Sequence, residues 1–108
     1  MKIITEQISL SELKEMSEKT FGNFVKAVVD IEKEIMAVDA DLHADQEALL
    51  LENGSQQKDL WGINIYVDCL KGQRIEFDSM INLRPSSGNR SRGVDAPEIQ
   101  KKDCWNRQ

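Results

Sequence analysis

Two segments in the second half of the chain alternate between apolar and polar residues, and this alternation constrains the fold more than any other feature. A period of two places every apolar side chain on the same face of a β-strand. Residues 60–67 and 75–83 both follow this pattern, and the connection between them contains a glycine that suits a hairpin turn. The two segments therefore predict an antiparallel hairpin with one buried face, formed by Trp61, Ile63, Ile65, Phe77, Ile81 and Leu83.

Residues 24–38 fit two different patterns. Apolar residues recur at steps of three and four between Phe21 and Leu42, which is typical of an amphipathic helix. The alternative is a second hairpin, which we favour because a dense run of valine and isoleucine suits strands and because a two-stranded sheet alone is only marginally stable. In that hairpin Lys26 and Asp30 face out, and the apolar positions are Val25, Ala27, Val29 and Ile31 on the first strand and Ile35 and Ala37 on the second.

Helices are expected before and after this hairpin. A capping-box spacing predicts a helix over residues 10–20 that ends near Gly22. A stretch rich in leucine and alanine predicts a second helix over residues 42–52. Asp39 or Asp41 is expected to cap its start, and the Asn-Gly pair that follows is a natural stop.

The chain has 108 residues, which is enough for one hydrophobic core and too few for two. We therefore predict one α+β domain over residues 1–108, with a small antiparallel sheet of about four strands, in two hairpins, packed on one face by two or three helices. Asp95 and Pro97 suit the start of a last helix. Residues 98–108 offer few apolar contacts, so we expect them to be loosely docked.

Charge is distributed unevenly along the chain. Residues 1–73 contain seven basic and fourteen acidic residues, whereas residues 74–108 contain seven basic and five acidic ones. The net charge of −5 repels nucleic acid in bulk. Any role with RNA therefore requires a local basic patch in the second part of the chain.

The sequence predicts a soluble cytoplasmic protein with no membrane partner. The first residues lack the apolar run of a signal peptide, and the longest apolar stretches are far shorter than the roughly 20 residues needed to cross a bilayer. Cys69 and Cys104 have no second cysteine or histidine at a ligand spacing, which indicates free thiols in a reducing compartment. No motif indicates a cofactor.

An arginine-rich loop is the first candidate site. Residues 84–93 combine three arginines with glycines, serines and an asparagine, and guanidinium groups match the geometry of phosphate and carboxylate groups. The alternative is a mobile, solvated loop. We expect this loop and the polar face of the sheet to hold an anionic small molecule, such as a nucleotide, or an RNA phosphate through Arg84, Arg90, Arg92, Asn64 and Asn82.

The only histidine, His43, marks the second candidate site. On a helix His43 and Glu47 share one face, and Asp45 lies between them in the sequence. With Asp78 from across a cleft, these residues suit a metal-dependent or acid/base hydrolase, in which His43 is also the candidate metal ligand. The alternative is a histidine in the first turn of a helix beside capping acids.

Five short runs carry a resemblance to a known family: KAVVDI (residues 26–31), LHAD (42–45), ENGS (52–55), DLWGIN (59–64) and NLRP (82–85). In these runs, and over about residues 1–100, the chain resembles a family of short uncharacterised prokaryotic proteins, a domain of unknown function. The resemblance implies a prokaryotic cytoplasmic protein and brings no activity, cofactor or partner. A third hypothesis therefore stays open, a protein-interaction module or homodimer built on an exposed sheet face or edge strand.

Overall fold

The computed structural model of the chain describes residues 1–5, 10–67 and 75–95. In chain order, the elements of this part are β1 (Lys2–Ile4), α1 (Leu10–Lys19), β2 (Phe24–Asp30), β3 (Ile35–Val38), α2 (His43–Glu52), β4 (Leu60–Tyr66) and β5 (Ile75–Glu76). The strands form one antiparallel sheet in the order β1-β3-β2-β4-β5. The predicted α+β class with an antiparallel sheet is confirmed.

Residues 24–38 form a hairpin rather than a helix, as the density of β-branched residues predicted. Val28 lies opposite Ala37, and Asp30 lies opposite Ile35. The prediction that Asp30 faces out is wrong, because its side chain is only 1% exposed. Its carboxylate accepts the backbone N–H groups of Glu32 and Lys33 in the turn and the hydroxyl of Ser55, so the buried charge is fully hydrogen-bonded.

The sheet is covered on both faces. Side chains of α1 pack with one set of strand residues, and side chains of α2 pack with the set that alternates with it. The sheet thus has five strands rather than about four, and its two helices lie on opposite faces rather than on one. The reason is that β2 lies in the middle of the sheet and carries apolar residues on both faces, Val25, Ala27 and Val29 towards α1 and Val28 towards α2.

Both helices lie where the sequence predicts them, but α2 is not capped as expected. Helix α1 is followed by Gly22, which has a φ of +91° and donates its backbone N–H to the carbonyl of Ser17 at 2.6 Å. Helix α2 is capped by neither Asp39 nor Asp41. Its N-cap is Leu42, whose side chain makes no capping hydrogen bond.

The second predicted hairpin is shorter than the alternation suggested. Strand β4 pairs with β5 through only two residue pairs, and the chain then forms a 3-10 helix at Met80–Asn82. The prediction is therefore wrong for two residues of the buried face. Ile81 packs on the α2 side of the sheet, and Leu83 is 40% exposed.

The physical reason for the short strand is the side chain of Asn82. Its amide accepts the backbone N–H of Gly62 at 2.8 Å and donates to the carbonyl of the same residue at 3.0 Å. These two bonds continue the hydrogen-bond ladder of β4 without a further strand. The alternating pattern over residues 75–83 therefore belongs to a chain segment that is attached to the sheet by a side chain.

Some expectations lie outside the described residues. These are the turn at residues 68–74, the last helix beyond Asp95, the loosely docked segment 98–108, and both cysteines. Within the described residues, no helix is long and apolar enough to cross a membrane.

Candidate functional site

A cleft of about 350 Å³ lies where the start of α2 meets β2, β4 and the segment that follows β5. Most of the exposed surface of its wall is apolar, and six polar side chains also line it. A mostly apolar pocket with a few polar groups is the usual form of a small-molecule site. Its polar side chains are Lys26, His43, Asn64, Asp78, Ser79 and Arg92.

His43 is the first residue of α2, and its ring is 7% exposed. Nε2 lies 2.7 Å from the carbonyl oxygen of Ile63. A carbonyl can only accept, so Nε2 carries a proton and the neutral ring keeps the lone pair on Nδ1. Nδ1 has no hydrogen-bond partner among the described residues.

Burial lowers the pKa of His43 from its ordinary value of 6.5. The positive charges of Lys26 and Arg92 lower this pKa further, whereas the hydrogen bond to Ile63 and the charge of Asp78 raise it. Since burial is the largest effect, His43 is neutral at pH 7. A neutral imidazole with a free Nδ1 can accept a hydrogen bond or take a proton.

Ser79 and His43 lie on either side of Gly62, in the middle of β4. A Cβ on Gly62 would lie 2.5 Å from Ser79 Cβ, 2.6 Å from Ser79 Oγ and 3.2 Å from His43 Cγ. Glycine is thus required at this position by close approach and not by backbone conformation. The sequence alone gives Ser79 no role, because it falls within a predicted strand, and the glycine within β4 is the signal that could have placed it here.

The cleft has a positive side. Lys26 forms no ion pair with a described residue, and its Nζ lies 5.3 Å from the centroid of the Phe21 ring. Arg92 contacts Asp78, with 2.9 Å between Nε and Oδ1, and both side chains are partly exposed. Leu42 and Ala44 also line the cleft, so the first turn of α2, which no N-cap side chain caps, adds backbone N–H groups and the positive end of the helix dipole.

Asn64 supplies a hydrogen-bond acceptor to the same cleft. Its side chain is 7% exposed, and its Nδ2 donates to Oε1 of Glu76 at 2.8 Å. A carboxylate only accepts, so the amide group of Asn64 cannot be reversed and Oδ1 points away from Glu76. Oδ1 is buried and has no hydrogen-bond partner in the part of the chain that the structure describes.

The arginine-rich loop is held by Asn89, whose side-chain amide donates to the carbonyls of Asn82, Ser91 and Gly93. An acid from outside the loop also binds it, because the Asp95 carboxylate accepts the backbone N–H of Arg90 and the hydroxyl of Ser91. The side chain of Arg90 is exposed on the surface.

Arg84 lies in a different place from Arg92. Its guanidinium stacks over the ring of Trp61, 4.3 Å from the ring centroid, and donates to the carbonyl of Gln57. Burial lowers the pKa of Arg84, while the charges of Glu47 and Asp59 raise it. Arg84 lines a second cavity, of about 250 Å³, which the cleft residues do not share.

The residues of each predicted site therefore lie in different places in the structure. Asn82 is fully buried, and its amide bonds to Gly62 and to the carbonyl of Arg92. Asp45 is exposed, and neither it nor Glu47 lines the cleft. Within the described residues no group of three or more His, Cys, Asp or Glu side chains could hold a metal ion. The predicted residues that the structure brings together in one cleft are Arg92, Asn64, His43 and Asp78.

Fold and cleft together define a small α+β domain with a polar pocket of the size that suits a small molecule. The chain belongs to the family described as protein of unknown function (DUF5674), whose family model matches residues 2–103. The match confirms the resemblance seen in the sequence to a domain of unknown function. Neither the curated proteins nor the solved structures contain a match to the chain.

Proposed function

We propose that this protein binds a small anionic molecule in the His43 cleft. The observation that carries the proposal is the convergence of Lys26, Arg92 and the uncapped start of α2 on one cavity in a protein of net charge −5. Cationic side chains and helix N-terminal N–H groups are the partners that phosphate and carboxylate groups prefer. The ligand class is the one expected from the sequence, but most of the proposed binding residues differ from those that the sequence predicted.

The distribution of the arginines supports the cleft rather than the loop as the binding site. Arg84 stacks over Trp61 and donates to Gln57 in a separate cavity, and Arg90 projects from the surface. Only Arg92 combines a guanidinium with a concave, partly apolar surface that also contains Lys26. A cavity of about 350 Å³ suits a small molecule, so an RNA strand is a less favoured ligand.

Calorimetric titration with propyl phosphate at low salt tests this proposal. We expect Lys26→Gln and Arg92→Gln each to weaken binding about tenfold, because each removes one charge-assisted contact on a partly exposed site. Asp78→Asn should strengthen binding, because it removes the acid that competes for Arg92. Circular dichroism should show that all three variants keep the fold.

Arg90→Gln is the matched control, since Arg90 lies two residues from Arg92 and outside the cleft. It should leave the affinity within about twofold, because an exposed charge contributes little to a site it does not contact. Equal losses in Arg90→Gln and Arg92→Gln would move the site to the loop. No binding by the unmodified protein would reject the proposal.

Acid/base hydrolysis is the second candidate function, favoured by the neutral His43 beside Ser79. In this reaction His43 Nδ1 takes a proton from water, the hydroxide attacks an ester carbonyl, and the alcohol leaves with that proton. Release of p-nitrophenol from p-nitrophenyl acetate should then fall at least a hundredfold in His43→Gln. The homodimer hypothesis, cytoplasmic location and prokaryotic origin stay predictions from the sequence.

A further inference from the structure

We infer that the ligand is a phosphate monoester carrying at least one hydroxyl group, that Asn64 Oδ1 accepts a hydrogen bond from one hydroxyl, and that His43 Nδ1 is the acceptor for a second one where the ligand has it. The inference rests on the proposed function, because it concerns the part of the ligand next to the anionic group. It is carried by a second, independent feature of the cleft, the acceptors Asn64 Oδ1 and His43 Nδ1, which have no donor among the described residues.

A phosphate group suits the positive side of the cleft better than a carboxylate. Lys26, Arg92 and the first-turn N–H groups of α2 together offer more donors than the two oxygens of one carboxylate can accept. A phosphate monoester has three terminal oxygens and fits the start of a helix. Arg92 is partly exposed, but charge-assisted hydrogen bonds are strong enough to hold an anion there.

Asn64 is a poor partner for an anion, because its free atom is an acceptor. Glu76 fixes the amide so that Oδ1, and not Nδ2, is the unpaired atom. Buried polar atoms without a partner are rare in folded proteins, and each calls for a specific explanation. A hydroxyl of the ligand would supply the missing donor.

His43 offers the same chemistry in the same cleft. The bond between Nε2 and Ile63 leaves Nδ1 as an acceptor, and burial keeps the ring neutral. A protonated His43 would instead attract the phosphate directly. The cleft therefore has a cationic part and a part that accepts hydrogen bonds, which matches a ligand with an anionic end and a hydroxylated body.

Two ligands that differ only in their hydroxyl groups test the inference. Propyl phosphate and glycerol 3-phosphate have the same anion and the same number of carbons. We expect the unmodified protein to bind glycerol 3-phosphate about tenfold more tightly, since one buried hydrogen bond is gained. Equal affinities would overturn the inference.

Asn64→Leu identifies the acceptor. The two side chains have similar size, and the quantity compared is the ratio of the two affinities within each variant. In Asn64→Leu the preference for glycerol 3-phosphate over propyl phosphate should fall to about twofold or less. Asn23→Leu is the matched control, because Asn23 is exposed and lies outside the cleft, and it should keep the preference. A preference that survives in Asn64→Leu would overturn the role of Asn64.

A ligand-side measurement needs no variant that could fail to fold. 2,3-Dimethoxypropyl phosphate keeps both oxygens of glycerol 3-phosphate but cannot donate, so it should bind no more tightly than propyl phosphate. Tight binding of this ether would contradict donation to Asn64 and His43. Failure of propyl phosphate itself to bind would reject the proposed function, whereas equal binding of all three phosphates would reject only this inference.

Discussion

Gly62→Ala is the most direct test of how the cleft is built. The added methyl group would lie 2.5 Å from Ser79 Cβ, which is closer than real Cβ contacts, and 3.2 Å from His43 Cγ, which is a tight contact. The segment that contains Ser79 must therefore move away from the sheet. That movement also stretches the two hydrogen bonds between Gly62 and the side chain of Asn82.

The expected loss follows from these contacts. Overpacking a buried site costs about 1–3 kcal/mol, and two weakened hydrogen bonds add about 1 kcal/mol each at most. Replacing a strand glycine by alanine also stabilises the fold by roughly 0.5–1 kcal/mol, because alanine loses less backbone entropy on folding. We therefore expect the free energy of unfolding to fall by about 2–4 kcal/mol.

Urea denaturation followed by circular dichroism measures this free energy. The control is a double-mutant cycle with Ser79→Gly, which removes the two atoms that the new methyl group would meet. The double variant should be more stable than the sum of the two single losses by about 1–3 kcal/mol. A Gly62→Ala protein within about 0.5 kcal/mol of the original, or strictly additive losses, would refute the close approach on which the cleft depends.

Two further predictions concern Asn82 and His43. Asn82→Leu leaves the N–H and C=O of Gly62 without partners, so we expect urea denaturation to show that the free energy of unfolding falls by about 3–5 kcal/mol. The control is Asn23→Leu, which changes an exposed residue. If Asn82→Leu also costs less than about 1 kcal/mol, water replaces these bonds. The pKa of His43 is lower in the folded chain, so the unfolded chain binds more protons than the folded chain as pH falls. The stability that neutral His43 contributes is therefore present above about pH 6.5 and is lost as pH falls through the folded-state pKa. His43→Gln can still donate to Ile63, and its unfolding free energy between pH 7.5 and 5.5 should fall less steeply than that of the unmodified protein. Parallel curves would contradict a buried, neutral His43.

Local patterns predicted the elements well because they depend on neighbours in the sequence. The β-branched run of β2 and the glycine after α1 act within a few residues, and both features are found where the sequence places them. The same kind of pattern failed over residues 75–83. There the decisive interaction joins Asn82 to Gly62, which is twenty residues away in the chain.

The candidate site was only partly predictable for the same reason. Arginines close in sequence were grouped as one site, but Arg84 and Arg92 line different cavities because the turn between them is fixed by Asn89. His43 and Asp78 do line one cleft, as the hydrolase hypothesis requires. Ser79 and Lys26 were missed, because their roles depend on which strand and which helix meet, and periodicity does not contain that information.

The bonding of Asn82 to Gly62 also affects how this sheet can associate with other chains. An edge strand with free N–H and C=O groups is a template on which a second chain can add a strand. At Gly62, beyond the two residues of β5, both backbone groups are already occupied by an amide side chain. The opposite edge is β1, which has only three residues and begins with Lys2, whose charge discourages pairing. Both borders of the described sheet thus disfavour edge-to-edge association.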